Sequence, residues 1–171
     1  MTDIIDTLAG IEAGTTLASV RDTRPQAREN AQRSFKVLLE PDDPGGFTLL
    51  ERYAVAAYSV ALQASRSTAA EFYRELLAEE AGDHGEALAR AVTQAARRDR
   101  RTGPYGQYRE PRHQHESSPG PSVHYAENAV PRGLPPRLAA ALEHTHLLSL
   151  HPRDARPHHL RRLESAGVEC R

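Results

Sequence analysis

Apolar residues recur at helical spacing along much of the chain. One such segment begins at Pro25, which suits the first position of a helix, and ends near Glu40. Its apolar residues lie three or four positions apart: Ala27, Ala31, Phe35 and Leu38. This spacing predicts an amphipathic helix. Near the N-terminus, a shorter apolar face predicts a short helix that docks on the body of the protein: Ile4, Ile5, Leu8 and Ile11.

Three further helices are predicted after residue 47, because each segment opens with the pattern of a capping box. In this motif the first side chain accepts a hydrogen bond from a free backbone amide, and the glutamate three residues later reaches back. The three pairs are Thr48 and Glu51, Thr68 and Glu71, and Asp83 and Glu86. The helix from Leu49 to about Ala64 is apolar on nearly every side, which predicts that it is the buried central helix.

Helical periodicity stops between residues 102 and 136, where seven prolines occur. A connection of this length inside a compact domain is either functional or a disordered linker. Helical spacing returns at Leu138 until Pro152, and a last helix is predicted from Pro157 to about Ala166. We therefore predict an all-α fold, with a first helical half at 1–101, a connection at 102–136 and a second half at 137–171.

Composition and charge exclude several classes of protein. The formal net charge is −1, which gives no overall field for nucleic acid, and the basic run 97–101 is interpreted as the solvated end of a helix. No apolar run of about 18 residues exists to span a membrane. The N-terminus is acidic, unlike a secretory signal, and the single cysteine, Cys170, excludes a disulfide framework. These features together predict a cytoplasmic protein without nucleic-acid or membrane partners.

Three stretches carry a resemblance to a known family: Glu51-Arg-Tyr-Ala-Val-Ala-Ala-Tyr58, Leu138-Ala-Ala-Ala-Leu-Glu-His-Thr-His146 and Leu163-Glu-Ser-Ala-Gly167. The first is similar to the central helix of the carboxymuconolactone decarboxylase and alkylhydroperoxidase D-like superfamily, and the other two resemble the opening of a second copy. With further similar stretches, the resemblance covers most of the chain. The resemblance implies an alkylhydroperoxidase D-like helical fold with two related halves, and a homo-oligomer. Members of the superfamily continue with another long apolar helix after the position that matches Gly167. The resemblance therefore implies that the second half is incomplete, as in a truncated chain.

The peroxidase site of that superfamily has no thiols in the matching positions here. Glu51 matches the glutamate on the central helix, but the two cysteine positions fall near Gln63 and Arg66, and the histidine position falls near Ala70. Peroxide reduction needs a thiolate with a second thiol beside it. The resemblance thus implies a peroxidase-related, decarboxylase-type protein of the antioxidant superfamily, without thiol peroxidase activity of its own.

Two other functions stay open on the sequence. The first is a non-thiol acid/base enzyme that acts on a small organic acid or lactone, with Glu51, His144 and His146 as the proton-transfer residues. The second is a non-catalytic helical assembly protein or an inactive fragment. The capping role alone would also explain Glu51, and His144 and His146 would then flank an apolar stripe, half-buried.

No cofactor and no metal is predicted. Glu143 and His146 have the spacing of a carboxylate-bridged metal site, but such a site needs further ligands from other helices. His113, His115, His158 and His159 are expected to be solvated. The segment from Thr102 to Tyr108 is predicted to be a turn with two packing tyrosines, with a lid over a pocket as the alternative.

Overall fold

The computed structural model of the protein describes residues 3–64, 66–103, 105–125 and 134–168, and within these ranges it is all-helical. This confirms the predicted all-α class. No described helix is both long enough and apolar enough to cross a membrane. The α-helices of the described ranges are α1 (Ile4–Ala9), α2 (Thr16–Asp22), α3 (Pro25–Leu39), α4 (Leu49–Gln63), α5 (Thr68–Glu80), α6 (Gly85–Asp99), α7 (Pro136–Leu150) and α8 (Pro157–Ser165).

Helix α4 lies at the centre of the core, as its apolar sequence predicts. It packs against α5, α6 and α7. Two of its side chains, Ala54 and Tyr58, are fully buried, and Leu62 is nearly so. Because α4 contacts helices from both predicted halves, the two halves share one hydrophobic core.

Only one of the three predicted capping boxes forms. The box of Thr48 and Glu51 is present at the start of α4, which confirms that prediction. The prediction for Thr68 was wrong by one residue, because the hydroxyl of Ser67 accepts the hydrogen bond from the amide of Ala70 and so caps α5.

The predicted box of Asp83 and Glu86 was also wrong. Asp83 lies in a short 3-10 turn, and α6 begins at Gly85 without any side-chain cap. The reason is close packing of α6 on α5. A β-carbon at position 85 would lie only 2.0 Å from the carbonyl oxygen of Ala78, so this approach requires glycine.

The N-terminal region contains two short helices where the sequence predicted one. Gly10 ends α1 in the left-handed conformation, and the hydroxyl of Thr15 caps α2. Ion pairs from Asp3 and Asp6 to Arg28 hold α1 against α3. The predicted docking of the first helix is confirmed, since α1 contacts α5 and Ile4 is buried.

The connection between the halves is folded against the body where the structure describes it. We call residues 105–125 the strap. Tyr108 of the strap lies 4.1 Å from the guanidinium of Arg153, and the amide of Gln107 donates to Asp154. Tyr125 is buried in the core. Residues 126–133 of the connection, and Cys170, lie outside the described residues.

Candidate functional site

One cleft gathers most of the histidines that the structure buries or half-buries. It lies along α7, beside α8 and the end of the strap, and its volume is about 220 Å³. We call it the histidine cleft. Its ionisable lining residues are His124, Glu143, His144, His146, His151, His159 and Arg162. Two sequence-predicted site residues, His144 and His146, therefore border the same cleft. Residues two positions apart on a helix point in different directions, so the cleft must extend around α7 to reach both.

His146 has the most defined environment of these residues. It is 1% exposed, and its Nε2 lies 3.3 Å from the backbone oxygen of Asp99. A carbonyl oxygen only accepts hydrogen bonds, so Nε2 carries the proton and Nδ1 keeps a lone pair. Burial lowers the pKa of His146, which keeps the ring neutral near pH 7. The structure thus provides a neutral imidazole in one defined tautomer.

Asp99 holds this arrangement together through a buried hydrogen-bond network. Its carboxylate accepts from the hydroxyl of Tyr58 at 3.0 Å, from the hydroxyl of Tyr125, and from Nε of Arg98 at 3.0 Å. Burial raises the pKa of both Tyr58 and Tyr125, so both remain protonated donors. Through Asp99, the network joins α4, α6 and the strap to His146 on α7.

His151, just after α7, is the second buried histidine of the cleft. Its Nδ1 donates to the carboxylate of Asp154 at 3.2 Å, while its Nε2 is buried without a hydrogen-bond partner among the described residues. The His146 and His151 ring centres are 5.7 Å apart. A β-carbon on Gly120 would lie 2.4 Å from Nδ1 of His151, so the strap packs directly on this ring.

The outer histidines of the cleft are less buried. His144 is half-buried, as predicted, and burial lowers its pKa, whereas the same prediction for His146 was wrong because His146 is fully buried. His158 is exposed, as predicted, whereas the prediction of a solvated His159 was wrong. Nδ1 of His159 accepts from the amide of Arg156 at the start of α8, and burial lowers its pKa. This hydrogen bond at the start of α8 holds the His159 ring at the border of the cleft.

Glu51 lies apart from His144 and His146 and does not border the histidine cleft. Its Oε2 accepts from the amide of Thr48 at 2.9 Å, and its Oε1 lies 2.8 Å from Nε of Arg137 on α7. These contacts cap α4 and tie it to α7. The proton-transfer role predicted for Glu51 stays a prediction, and the contacts observed are structural.

Two further expectations concern metal and thiol sites. Glu143 and His146 border the same cleft. The described ranges contain no group of three or more His, Cys, Asp or Glu side chains that could hold a metal ion. Arg66 and Ala70, which fall near the peroxidase positions of the resemblance, line a different cleft of about 310 Å³ beside Ala57 and Ala61 of α4. That cleft contains no thiol among its lining residues.

Sequence reasoning missed three residues of the site: Asp99, Tyr125 and His151. Asp99 is 6% exposed, although the run 97–101 was interpreted as a solvated helix end. A signal was available there, because a carboxylate at the C-terminal end of a helix opposes the helix dipole and needs a compensating partner. Tyr125 and His151 lie in segments without periodicity, where pattern gives no indication of burial.

Comparisons with family models, with curated proteins and with solved structures found no match for this chain. The functional argument therefore depends on the geometry of the histidine cleft and on the resemblance described above. The geometry favours proton transfer, since the cleft combines neutral imidazoles with a fixed tautomer at its most buried position.

Proposed function

We propose that this chain is a decarboxylase-type helical protein that performs acid/base chemistry, without thiols, on a small organic acid or lactone in the histidine cleft. The observation that carries the proposal is the environment of His146. Its Nε2 donates to the Asp99 carbonyl and burial keeps its ring neutral, so Nδ1 keeps the lone pair. An imidazole in this state is a general base.

The proposed reaction begins with removal of a proton from a carbon beside a carbonyl group. The C–H bond breaks, its electron pair moves into the carbonyl to give an enolate, and the proton passes to Nδ1 of His146. Apolar side chains of Val123, Ala140 and Leu147 border the same cleft and would exclude water from the reacting carbon. A cleft of about 220 Å³ suits a small substrate.

The resemblance supports the same class of chemistry. The decarboxylase-like members of that superfamily act on lactone acids, and the positions of the peroxidase thiols hold Gln63 and Arg66 here. We propose that the protein is peroxidase-related in descent and fold but uses imidazole instead of thiolate. His144, half-buried at the same cleft, is a second candidate for contact with the substrate.

The homo-oligomer implied by the resemblance also stays a proposal. Large apolar side chains on α2 and α3 are exposed in the single chain, and association would cover them. These residues are Leu17, Val20, Val37 and Leu38, with exposed fractions from 54% to 63%. Exposed apolar surface of this kind often marks an interface.

The test is an exchange experiment that does not require the physiological substrate. The full chain is incubated in D₂O with a panel of small lactone acids and 3-oxo acids, and loss of the C–H signal beside the carbonyl is followed by proton NMR. We expect His146→Gln to slow exchange by about 10²-fold or more, because the base is lost. The matched control is His158→Gln, which changes an exposed histidine on α8.

The two variants separate the possible outcomes. Exchange by the wild type and by His158→Gln, but not by His146→Gln, supports the proposal. Equal rates in all three proteins would reject His146 as the base. If the wild type exchanges no proton of any compound in the panel, the proposed function is rejected. Circular dichroism of each variant confirms that the fold is retained.

A further inference from the structure

A buried base such as His146 must lose the proton that it gains. Burial favours its neutral form, and the nearby guanidinium of Arg101 also disfavours a cation there. The hydrogen bond to the backbone carbonyl of Asp99 and the charge of the Asp99 carboxylate favour a cation at His146, but burial, together with His151 and Arg101, outweighs them, so the pKa of His146 is lowered. An imidazolium at position 146 is therefore costly, and a second acceptor nearby would lower that cost.

His151 has the features of such an acceptor. The Nδ1–H group of His151 donates to the carboxylate of Asp154 at 3.2 Å, so in the neutral ring the lone pair is on Nε2. Nε2 is buried without a partner in the described part of the chain, and the residue is only 6% exposed. An unsatisfied buried acceptor is unfavourable and calls for a function or a ligand.

The relative position of the two rings suits proton transfer. Their centres are 5.7 Å apart with an angle of 75° between the planes, so the edge of one ring faces the other. Nε2 of His151 has no hydrogen-bond partner in the described part of the chain, so the two rings are not directly bonded through it, and one bridging water spans the separation. The close packing of Gly120 on His151 and the hydrogen bond to Asp154 fix the second ring in place.

We propose that His151 and Asp154 form a proton-accepting pair that receives the substrate proton from His146 and so restores the neutral base. This inference rests on the proposed function and assigns to it a second histidine and a positioning carboxylate. Asp154 acts through His151 and does not contact the substrate.

The transfer balances without any further reactant. After the first step, His146 carries protons on both nitrogens and the substrate is an enolate. The Nδ1–H bond of His146 breaks and its proton passes to a bridging water, which at the same time gives one of its own protons to Nε2 of His151, so the water is regenerated. His146 is then neutral with its proton on Nε2, and His151 is an imidazolium beside the Asp154 carboxylate. The proton returns to the product by the reverse path or leaves to solvent.

A purely structural role for His151 is the main alternative. In that case its ring only supports the strap at Gly120, and its protonation pattern has no importance. Asp154→Asn separates these roles. The Asn oxygen still accepts from the amide of Gln107, as the Asp154 carboxylate does at 3.0 Å. The Asn amide would instead donate to Nδ1 of His151, which moves the ring proton to Nε2 and removes the acceptor.

The first measurement is the tautomer of His151, read from the nitrogen-15 NMR spectrum of the full chain labelled in its imidazoles. We expect an unprotonated Nε2 in the wild type and a protonated Nε2 in Asp154→Asn. A wild-type protein with the proton on Nε2 of His151 would overturn the inference, whatever its activity. His151→Gln identifies the signals of this residue by their loss.

The second measurement is the exchange rate in D₂O with the same panel of acids and lactones. We expect Asp154→Asn to lower kcat by about 10²-fold or more with little change in KM, because binding is kept and proton transfer is lost. The control is Glu164→Gln, which changes an exposed carboxylate on α8. Full exchange activity in Asp154→Asn would overturn the inference.

The two measurements keep this inference distinct from the proposed function. Absence of exchange in the wild type rejects the function, and also removes the catalytic role of the pair. Exchange that depends on His146 but not on Asp154 rejects the pair alone and leaves the function standing. Loss of exchange in Asp154→Asn, with the expected change of tautomer and an unchanged circular dichroism spectrum, supports both.

Discussion

Asp99 is a single buried residue that connects several elements of the site. Its carboxylate accepts three hydrogen bonds, two from tyrosine hydroxyls and one from Arg98. Its backbone oxygen fixes the tautomer of His146. A buried carboxylate is costly when its acceptor positions are empty. The tyrosines therefore hold Asp99 in place, and the backbone oxygen of the same residue positions the proposed base.

Removal of one of these donors should have a measurable cost. We expect Tyr125→Phe to lower the free energy of unfolding by about 1–3 kcal/mol, because Asp99 loses a buried partner while the ring still packs. The measurement is urea unfolding followed by circular dichroism. The control is Tyr105→Phe, a half-buried tyrosine of the strap outside the Asp99 network, which should be nearly neutral. Equal losses in the two variants would contradict the assigned role of Tyr125.

At the scale of elements, the start of α5 gives a second prediction. Ser67 accepts from the amide of Ala70, whereas Thr68 is already inside the helix. We expect Ser67→Ala to cost about 1 kcal/mol of stability, because a helix amide loses its cap. Thr68→Ala should cost much less, since alanine favours helix and no cap is removed. Urea unfolding of both variants measures the free energy of unfolding. A larger decrease in Thr68→Ala than in Ser67→Ala would mean that Thr68 caps α5, as the sequence predicted.

The sequence predicted those elements whose signal is local. The bounds of α3, α4 and α7 follow from apolar spacing and from prolines, and the structure places them within one or two residues of the prediction. The start of α6 was missed because Gly85 is selected by contact with the backbone of α5, which spacing does not show. Helix starts that depend on a neighbouring helix cannot be predicted from one segment.

The candidate site was predicted only in part, for a related reason. His144 and His146 were identified because they lie on a periodic helix. Their partners come from distant positions, such as Asp99, which is 47 residues from His146, and Tyr125, which is 26 residues from Asp99. Tertiary packing alone brings such residues together. The strap therefore does more than connect two halves, since it supplies Tyr125 and the contact of Gly120 with His151.

For the whole molecule, the buried histidines predict how stability depends on pH. Burial lowers the pKa of His144, His146 and His159 below the ordinary imidazole value of 6.5. Between the folded and unfolded pKa values, the unfolded chain binds more protons than the folded chain. The free energy of unfolding therefore falls as pH decreases below about 6.5, and the contribution is fully present above that pH.

We expect the free energy of unfolding, measured by urea unfolding, to be nearly constant from pH 7.5 to about 6.5 and to decrease from there to pH 5.0, with each histidine adding a slope of at most about 1.4 kcal/mol per pH unit. His146→Gln removes the most buried of the three groups. Its slope should be smaller than that of the wild type, even though the variant is less stable at every pH. His158→Gln should keep the wild-type slope, since this side chain is exposed. A slope unchanged in His146→Gln would mean that His146 binds protons equally in the folded and unfolded states, which would contradict the lowering of its pKa by burial.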